Sequence, residues 1–308
     1  MNTVAHSQLP ILGDTSRSHC VTDLPPSFEC EITPGGLTTR AWTIGPDRRD
    51  VERVVLFPQG WNTTAGTLEP LARKVVEESD ATAAVLFEQK RVPLPQTVRE
   101  IPGYIRSTSM HRVEELRART VESVGVAACE YYGLPTASII SHSLGSVDAI
   151  RATVDSDRLA ISDITALAPA GRLEDNQIVP ALMRAMQIAA IDCGADCEPS
   201  DTQIRFGAVR NVLQPAIFQT ATEAAYGLSC RLDDYAARLA ALMIPAVQID
   251  FARDRLFGGH IRQVPGFIAS SVISDGLACH CAPGHRTEAA RIVKAMRLLW
   301  SEVNIRTA

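Results

Sequence analysis

The sequence has few lysines and no excess of positive charge. Lysine occurs at Lys74, Lys90 and Lys294 only, so arginine supplies 27 of the 30 basic side chains, and 35 acidic residues leave a net charge of −5. The basic residues are scattered, whereas proteins that bind a phosphate backbone cluster their cations on one face. We therefore do not expect nucleic acid as a partner.

Long apolar runs and a cationic start are also missing. No apolar stretch approaches the roughly 20 residues that a membrane-spanning helix needs. The first 20 residues carry neither the positive charge nor the apolar segment of a secretory signal. These absences predict a cytoplasmic protein without a membrane span.

The eight cysteines lack the spacing of a zinc site. Two pairs are close in sequence, Cys193 with Cys197 and Cys279 with Cys281. Structural zinc sites repeat a C-x2-4-C pair with matching histidines, and these two pairs fit that pattern poorly. Disulfides are not expected in a protein that is not exported. We therefore predict buried thiols and no metal.

An alternation of strands and helices is present instead. The 308 residues, 46% of them hydrophobic, suffice to bury roughly three-quarters of the surface of the unfolded chain. Apolar patterning predicts strands over 28–32, 37–44, 51–57, 81–87, 137–140, 161–167 and 246–251, with a weaker strand near 277–279. Helical spacing recurs near 68–76, 113–128, 144–154 and 289–303. This order predicts an α/β fold with a doubly wound, mainly parallel sheet.

The predicted strands define the domain boundaries. Residues 1–27 lack periodic apolar positions and are interpreted as an irregular tail. Residues 28–171 and 241–308 form the α/β core. Between them, 172–240 contain no strand pattern and three helical ones, so we expect an inserted helical lid. Its apolar side chains favour a partly apolar small-molecule substrate.

One motif carries chemistry, and it lies where a buried strand meets a helix. Ser141-His142-Ser143-Leu144-Gly145 has small residues two before and two after a serine. A nucleophile elbow needs such residues because its turn is sharp and the backbones of its strand and helix approach closely. Ser143 is therefore the candidate nucleophile.

From Phe28 onward, this pattern resembles the α/β-hydrolase fold family, and in particular its serine esterases and lipases. The resemblance implies a triad in the chain order nucleophile, acid, histidine. The acid follows the strand after the lid, and Asp254 matches it there. Asp250 within that strand is the alternative, with Glu174 or Asp175 after the preceding strand also open.

The same resemblance implies a histidine shortly before the last helix. Gly284-His285 precedes that helix, so His285 is the expected base, while His280 and His260 are interpreted as packing or surface residues. His142, beside the nucleophile, is read as structural. The oxyanion hole of the family implies the backbone N–H groups of Leu144 and Trp61.

These roles imply a serine hydrolase that cleaves a carboxylic ester, thioester or lactone through an acyl-enzyme, without a cofactor. A serine hydroxyl needs an imidazole to take its proton, and the imidazole needs a carboxylate to fix its tautomer. Two alternatives stay open. The same acyl-enzyme would serve an acyltransferase, thioesterase or cyclase of a biosynthetic pathway, and a ligand-binding protein could retain a weakly active triad.

Overall fold

A computed structural model of the chain describes residues 27–33, 36–61, 63–171, 217–254, 263–276, 279–280 and 282–307. Eight strands form one sheet within these residues. They are β1 (Ser27–Thr33), β2 (Leu37–Ile44), β3 (Arg53–Phe57), β4 (Thr82–Phe87), β5 (Ala137–His142), β6 (Ile161–Leu167), β7 (Ala246–Phe251) and β8 (Ala269–Ile273). Their spatial order is β1-β2-β4-β3-β5-β6-β7-β8. β2 pairs antiparallel with β1 and β4, and every other pair is parallel.

Helices follow most of the parallel strands. The α-helices are α1 (Glu69–Glu77), α2 (Ile101–Ser107), α3 (Met110–Tyr132), α4 (Leu144–Asp155), α5 (Ile217–Ser229), α6 (Leu232–Ala241) and α7 (Arg286–Thr307). Short 3₁₀ turns occupy Arg48–Asp50, Ala65–Leu68, Val98–Glu100 and Ala282–Gly284. α3 ends where Gly133 adopts a φ of 72°, a left-handed conformation that glycine adopts without the steric cost of a Cβ.

Two apolar cores lie on opposite faces of the sheet. Successive residues of a strand point to opposite faces, so Val54 and Leu56 of β3 contribute to one core, while Val55 and Phe57 contribute to the other. The first core includes α3, which packs against α4 and α5; the second includes α1, which packs against α7. Every residue of β4, β5 and β7 is buried. This arrangement confirms the α/β class and the mainly parallel, doubly wound sheet.

The sequence patterns located most elements and misplaced the eighth strand. The weaker strand was expected near 277–279, whereas β8 spans Ala269–Ile273. β8 is an edge strand with no fully buried residue, so its serine-rich sequence shows no apolar run. α2 was not predicted, because its seven residues are too few for a periodic signal.

The predicted lid falls largely outside the described residues. Residues 172–216 belong to that part of the chain, while α5 and α6 occupy 217–241. The last of the three helical patterns expected in the lid is present as α6 (Leu232–Ala241). The lid therefore stays a prediction. Over the described ranges, no helix is both long and apolar enough to cross a membrane.

Candidate active site

Ser143 occupies a strained turn between β5 and α4. Its φ of 53° and ψ of −122° are rare for a residue with a side chain, and such a conformation costs about 1–3 kcal/mol unless its surroundings enforce it. Here the Ser143 N–H donates to the Leu167 carbonyl at 2.9 Å, and the Ser143 carbonyl accepts from the Ala170 N–H at 3.1 Å. The neighbouring strand β6 and its following loop thus hold the turn.

Gly145 and Ser141, the small residues of the motif, fit their positions for different structural reasons. A Cβ added to Gly145 would lie 2.3 Å from the Pro58 carbonyl oxygen and 2.6 Å from that of Gln59, so the loop after β3 permits only glycine there. Ser141 stands two residues before Ser143 and is fully buried. Its hydroxyl donates to the Ser146 hydroxyl at 3.0 Å, which explains how a serine is accommodated.

A histidine and a carboxylate extend from Ser143 in one hydrogen-bonded chain. The Nε2 of His280 lies 2.9 Å from the Ser143 Oγ, and its Nδ1 lies 2.8 Å from the Asp254 Oδ2. A carboxylate oxygen accepts at neutral pH, so Nδ1 carries the proton and Nε2 presents its lone pair to the hydroxyl. This tautomer is the one that a general base requires.

Asp254 lies where the sequence places the acid, three residues after the end of β7. Its main-chain N–H donates to the Phe251 carbonyl at 3.0 Å, forming a turn at the carboxyl edge of the sheet. Asp250 lies inside β7, where its carboxylate accepts from the side chain of Gln248. The structure therefore brings Asp254, and not Asp250, to the imidazole. Glu174 and Asp175 lie outside the described residues.

The structure differs from the sequence expectation at the histidine: His280 contacts Ser143, and His285 does not take that position. His285 lies directly before α7, and its carbonyl accepts from the Ala289 N–H at 2.9 Å. That is the bonding of an N-cap residue. A Cβ on the preceding Gly284 would lie 3.2 Å from the Thr67 carbonyl oxygen, so close packing explains the Gly-His pair. His260 is outside the described residues.

The loop after β3 packs directly on Ser143. A Cβ on Gly60 would approach the Ser143 Cβ to 3.0 Å. The Glu88 carboxylate accepts from the Gln59 side chain and from the Ala65 N–H, each at 3.1 Å. One carboxylate thus fastens both ends of the loop that contains Trp61. The Gln59 side chain supplies one of these bonds.

A buried ion pair supports the same loop from behind. Arg117 of α3 lies 2.7 Å from the Asp148 carboxylate of α4 and also donates to the Gln59 carbonyl at 3.4 Å. Glu223 of α5 lies 3.8 Å from this guanidinium and forms a closer ion pair with Arg91 at 2.8 Å. Burial raises the pKa of Asp148 to about 6, although Arg117 acts against that shift.

Potential metal ligands and thiols also occur in the described part of the chain. Among the side chains that the structure describes, no group of three or more His, Cys, Asp or Glu could hold a metal ion. Among the described cysteines, Cys30, Cys129 and Cys230 are free thiols. Burial raises the pKa of Cys30 to about 11 and that of Cys230 to about 12, so both thiols are protonated and unreactive at neutral pH.

Solved structures share this architecture at low sequence identity. No model of a known protein family matches the chain, and no curated protein sequence matches it. A hydrolase from Oleispira antarctica is 19% identical with a TM-score of 0.56, over 83% of this chain and 93% of that one. A carboxylesterase structure from Nitrososphaera gargenis is 13% identical, with a TM-score of 0.57 and coverages of 89% and 98%.

A third similar structure gives the highest TM-score of these three. It is 2-hydroxy-6-oxo-6-phenylhexa-2,4-dienoate hydrolase from Rhodococcus sp. strain RHA1, 13% identical, with a TM-score of 0.60 over 89% of this chain and 99% of that one. Matches at such identities establish the shared fold. The chemistry has to be argued from the residues themselves.

Proposed function

Because the chain has the α/β-hydrolase fold, we propose that it is a serine hydrolase that cleaves a carboxylic ester, thioester or lactone through an acyl-enzyme. The observation that carries this proposal is the chain of hydrogen bonds Asp254–His280–Ser143, with the serine on a strained turn at the carboxyl edge of the sheet. The names hydrolase and carboxylesterase among the similar structures support it.

In the first half of the reaction, the Ser143 Oγ attacks the substrate carbonyl carbon while His280 Nε2 accepts the hydroxyl proton. Asp254 stabilises the imidazolium that forms and keeps Nδ1 protonated. The tetrahedral intermediate collapses when His280 returns the proton to the leaving group. The acyl group is then esterified to Ser143, and the alcohol, thiol or other end of a lactone is released from the carbonyl carbon.

In the second half, water takes the place of the leaving group. The oxygen of this water attacks the acyl carbon while His280 removes one of the water protons. His280 then returns the proton to Ser143 as the carboxylic acid leaves. Both tetrahedral intermediates carry a negative oxygen, for which we propose the N–H groups of Leu144 and Trp61 as donors. Leu144 is the first residue of α4, where N–H groups have no partner within the helix.

Covalent labelling tests the nucleophile. The intact protein is exposed to a fluorophosphonate and weighed by mass spectrometry. We expect one phosphonyl adduct on the wild type and none on Ser143→Ala. A wild-type protein that is folded but never labels, at any pH between 6 and 9, would refute the proposal.

Two matched pairs of variants test the other roles. His280→Ala should lower the labelling rate and ester turnover on the order of a thousandfold or more, while His285→Ala keeps the rate within a few-fold of the wild type. Asp254→Asn should cause a similar loss because it favours the wrong tautomer of the imidazole, while Asp250→Asn should not. The reverse result in either pair would show that the residue is misassigned.

A substrate panel tests the bond that is cleaved. Aryl esters, acyl thioesters and lactones of increasing acyl length should be compared by kcat/KM. We expect the preferred member to carry an apolar acyl or alcohol portion. Turnover that appears only when an alcohol or amine acceptor is added would instead identify an acyltransferase with the same acyl-enzyme.

A further inference from the structure

His142 holds the main chain of the residue proposed as the base. Its Nε2 lies 2.8 Å from the carbonyl oxygen of His280. A carbonyl oxygen only accepts hydrogen bonds, so this nitrogen carries the proton and donates it. The two imidazole rings lie side by side, with their centroids 4.8 Å apart.

The attachment of His142 is rigid at its own end. It is the last residue of β5, it is 3% exposed, and its main-chain N–H donates to the Pro58 carbonyl at 3.2 Å. Gly60 lies against the ring, since a Cβ there would come within 3.2 Å of the His142 Nδ1. His142 therefore connects the strand of the nucleophile to the loop after β3 through its main chain, and to His280 through its side chain.

The His280 segment needs such an attachment. His280 lies in a turn and not in a helix or strand, and the Ala282 N–H donates to the Cys279 carbonyl across this turn at 3.0 Å. The bonds to Ser143 and Asp254 orient the imidazole but leave the main chain to be fixed by other contacts. A carbonyl held by a rigid strand supplies that restraint.

We propose that His142 is a positioning residue, which fixes the loop of His280 so that the imidazole Nε2 stays within hydrogen-bonding distance of the Ser143 hydroxyl. This inference rests on the proposed function of the triad. His142 acts through His280 and does not contact the reacting atoms itself.

The neutral state of His142 agrees with this role. Burial lowers its pKa to about 3, and the charge of the neighbouring His280 acts in the same direction, while the hydrogen bond to the His280 carbonyl and the more distant Asp254 carboxylate oppose it. The ring therefore stays neutral over the working range of the enzyme. A second cation beside the imidazolium that forms on His280 would oppose catalysis, and this environment prevents it.

Two substitutions separate positioning from simple packing. In His142→Gln, the side-chain amide can place an N–H near the position of the imidazole Nε2. In His142→Met, a side chain of similar bulk has no donor. A residue that only fills space would tolerate methionine at least as well as glutamine, whereas a residue that holds the carbonyl would tolerate only glutamine.

The test measures the rate of Ser143 labelling by a fluorophosphonate, with kcat and KM for an aryl ester where turnover is detected. We expect His142→Gln to stay within about threefold of the wild type, and His142→Met to lose about 10- to 100-fold in labelling rate and kcat, because small misplacements of a catalytic group have effects of that size. KM should change little. Equal losses in both variants, or a wild-type rate in the methionine variant, would overturn the inference.

Two further measurements keep the test decisive. If His142→Met does not fold, His142→Asn takes its place, because its shorter amide does not reach the carbonyl and it should be slow where glutamine is fast. Nitrogen-15 NMR of the histidine rings of the wild type provides a readout without turnover. A neutral His142 with its proton on Nε2 at pH 5 supports the inference, and an imidazolium or a proton on Nδ1 overturns it, even if Ser143 fails to label.

Discussion

Replacing Gly145 by alanine tests how tightly the nucleophile turn and the loop after β3 are packed. The added Cβ would lie 2.3 Å from the Pro58 carbonyl oxygen, about 1 Å closer than the van der Waals contact of a carbon and an oxygen allows. The main chain fixes the position of the Cβ and of the carbonyl, so no side-chain rotation relieves the clash. The loop has to move away by about that distance.

Two effects of opposite sign decide the stability of this variant. Gly145 lies in the first turn of α4, and alanine in place of glycine favours a helix by up to about 1 kcal/mol. Overpacking in a close-packed site costs about 1–3 kcal/mol. We expect the clash to prevail, with a net loss of about 1–2 kcal/mol and a melting temperature lower by about 1.5–3 °C for a chain of this size.

The effect on activity should exceed the effect on stability. The displaced loop carries Trp61, one of the proposed oxyanion donors, and the loss of such a donor costs about 100- to 1000-fold in kcat. Because the donor is shifted and not removed, we expect Gly145→Ala to lower kcat and the fluorophosphonate labelling rate by about 10- to 100-fold, with KM little changed.

Gly66→Ala, in the 3₁₀ turn that follows the loop after β3, provides the control. A Cβ at Gly66 would meet only the Thr64 hydroxyl, at 3.7 Å, an ordinary contact. This variant should keep the wild-type kcat and melting temperature. Wild-type kcat and an unchanged or raised melting temperature in Gly145→Ala would refute the steric reasoning, and equal losses in both variants would show that any change in the loop is damaging.

Two further predictions concern the groups that support this loop. The Glu88→Gln substitution puts an amide where a carboxylate accepts two N–H groups, so one bond is lost; at about 0.5–1.5 kcal/mol per bond we expect kcat to fall about 3- to 10-fold. Asp148 binds a proton up to about pH 6 in the folded state and up to about pH 4 in the unfolded chain. Its contribution to stability is therefore present below pH 4 and is lost as the pH rises through 6. When the pH is lowered from 7 to 4, the unfolding free energy of the wild type should increase by about 1–3 kcal/mol relative to that of Asp148→Asn, as measured from urea unfolding at each pH.

The parts of the site that local backbone geometry dictates could be predicted from the sequence. A sharp turn between a buried strand and a helix requires small flanking residues, and that requirement identifies Ser143 and Gly145. The proposed acid follows a strand with a clear apolar run, so the family resemblance could place it at Asp254, just after β7. In both cases the side chain is within a few residues of a well-defined element.

The position of the histidine could not be predicted in this way. Its segment follows β8, an edge strand without an apolar run, so no nearby element fixes which residue faces the nucleophile. The Gly284-His285 pair gave a local signal, but the glycine packs closely against Thr67 and the main chain of the histidine occupies the N-cap position of α7. The pair marks the start of a helix, and it was interpreted as a catalytic motif.

The contact between His142 and His280 shows what such local interpretation omits. Both residues are adjacent to motif positions, yet they are 138 residues apart in the chain, and their hydrogen bond joins a side chain to a carbonyl. No spacing rule encodes a bond of that kind, because a main-chain carbonyl is the same at every residue. The sequence therefore points to the candidate reacting side chains, whereas the structure is needed to identify the residues that hold those side chains in position. The proposed role of His142 implies two constraints on the residue before Ser143: it has to fit the sharp turn, and it has to donate to the His280 carbonyl.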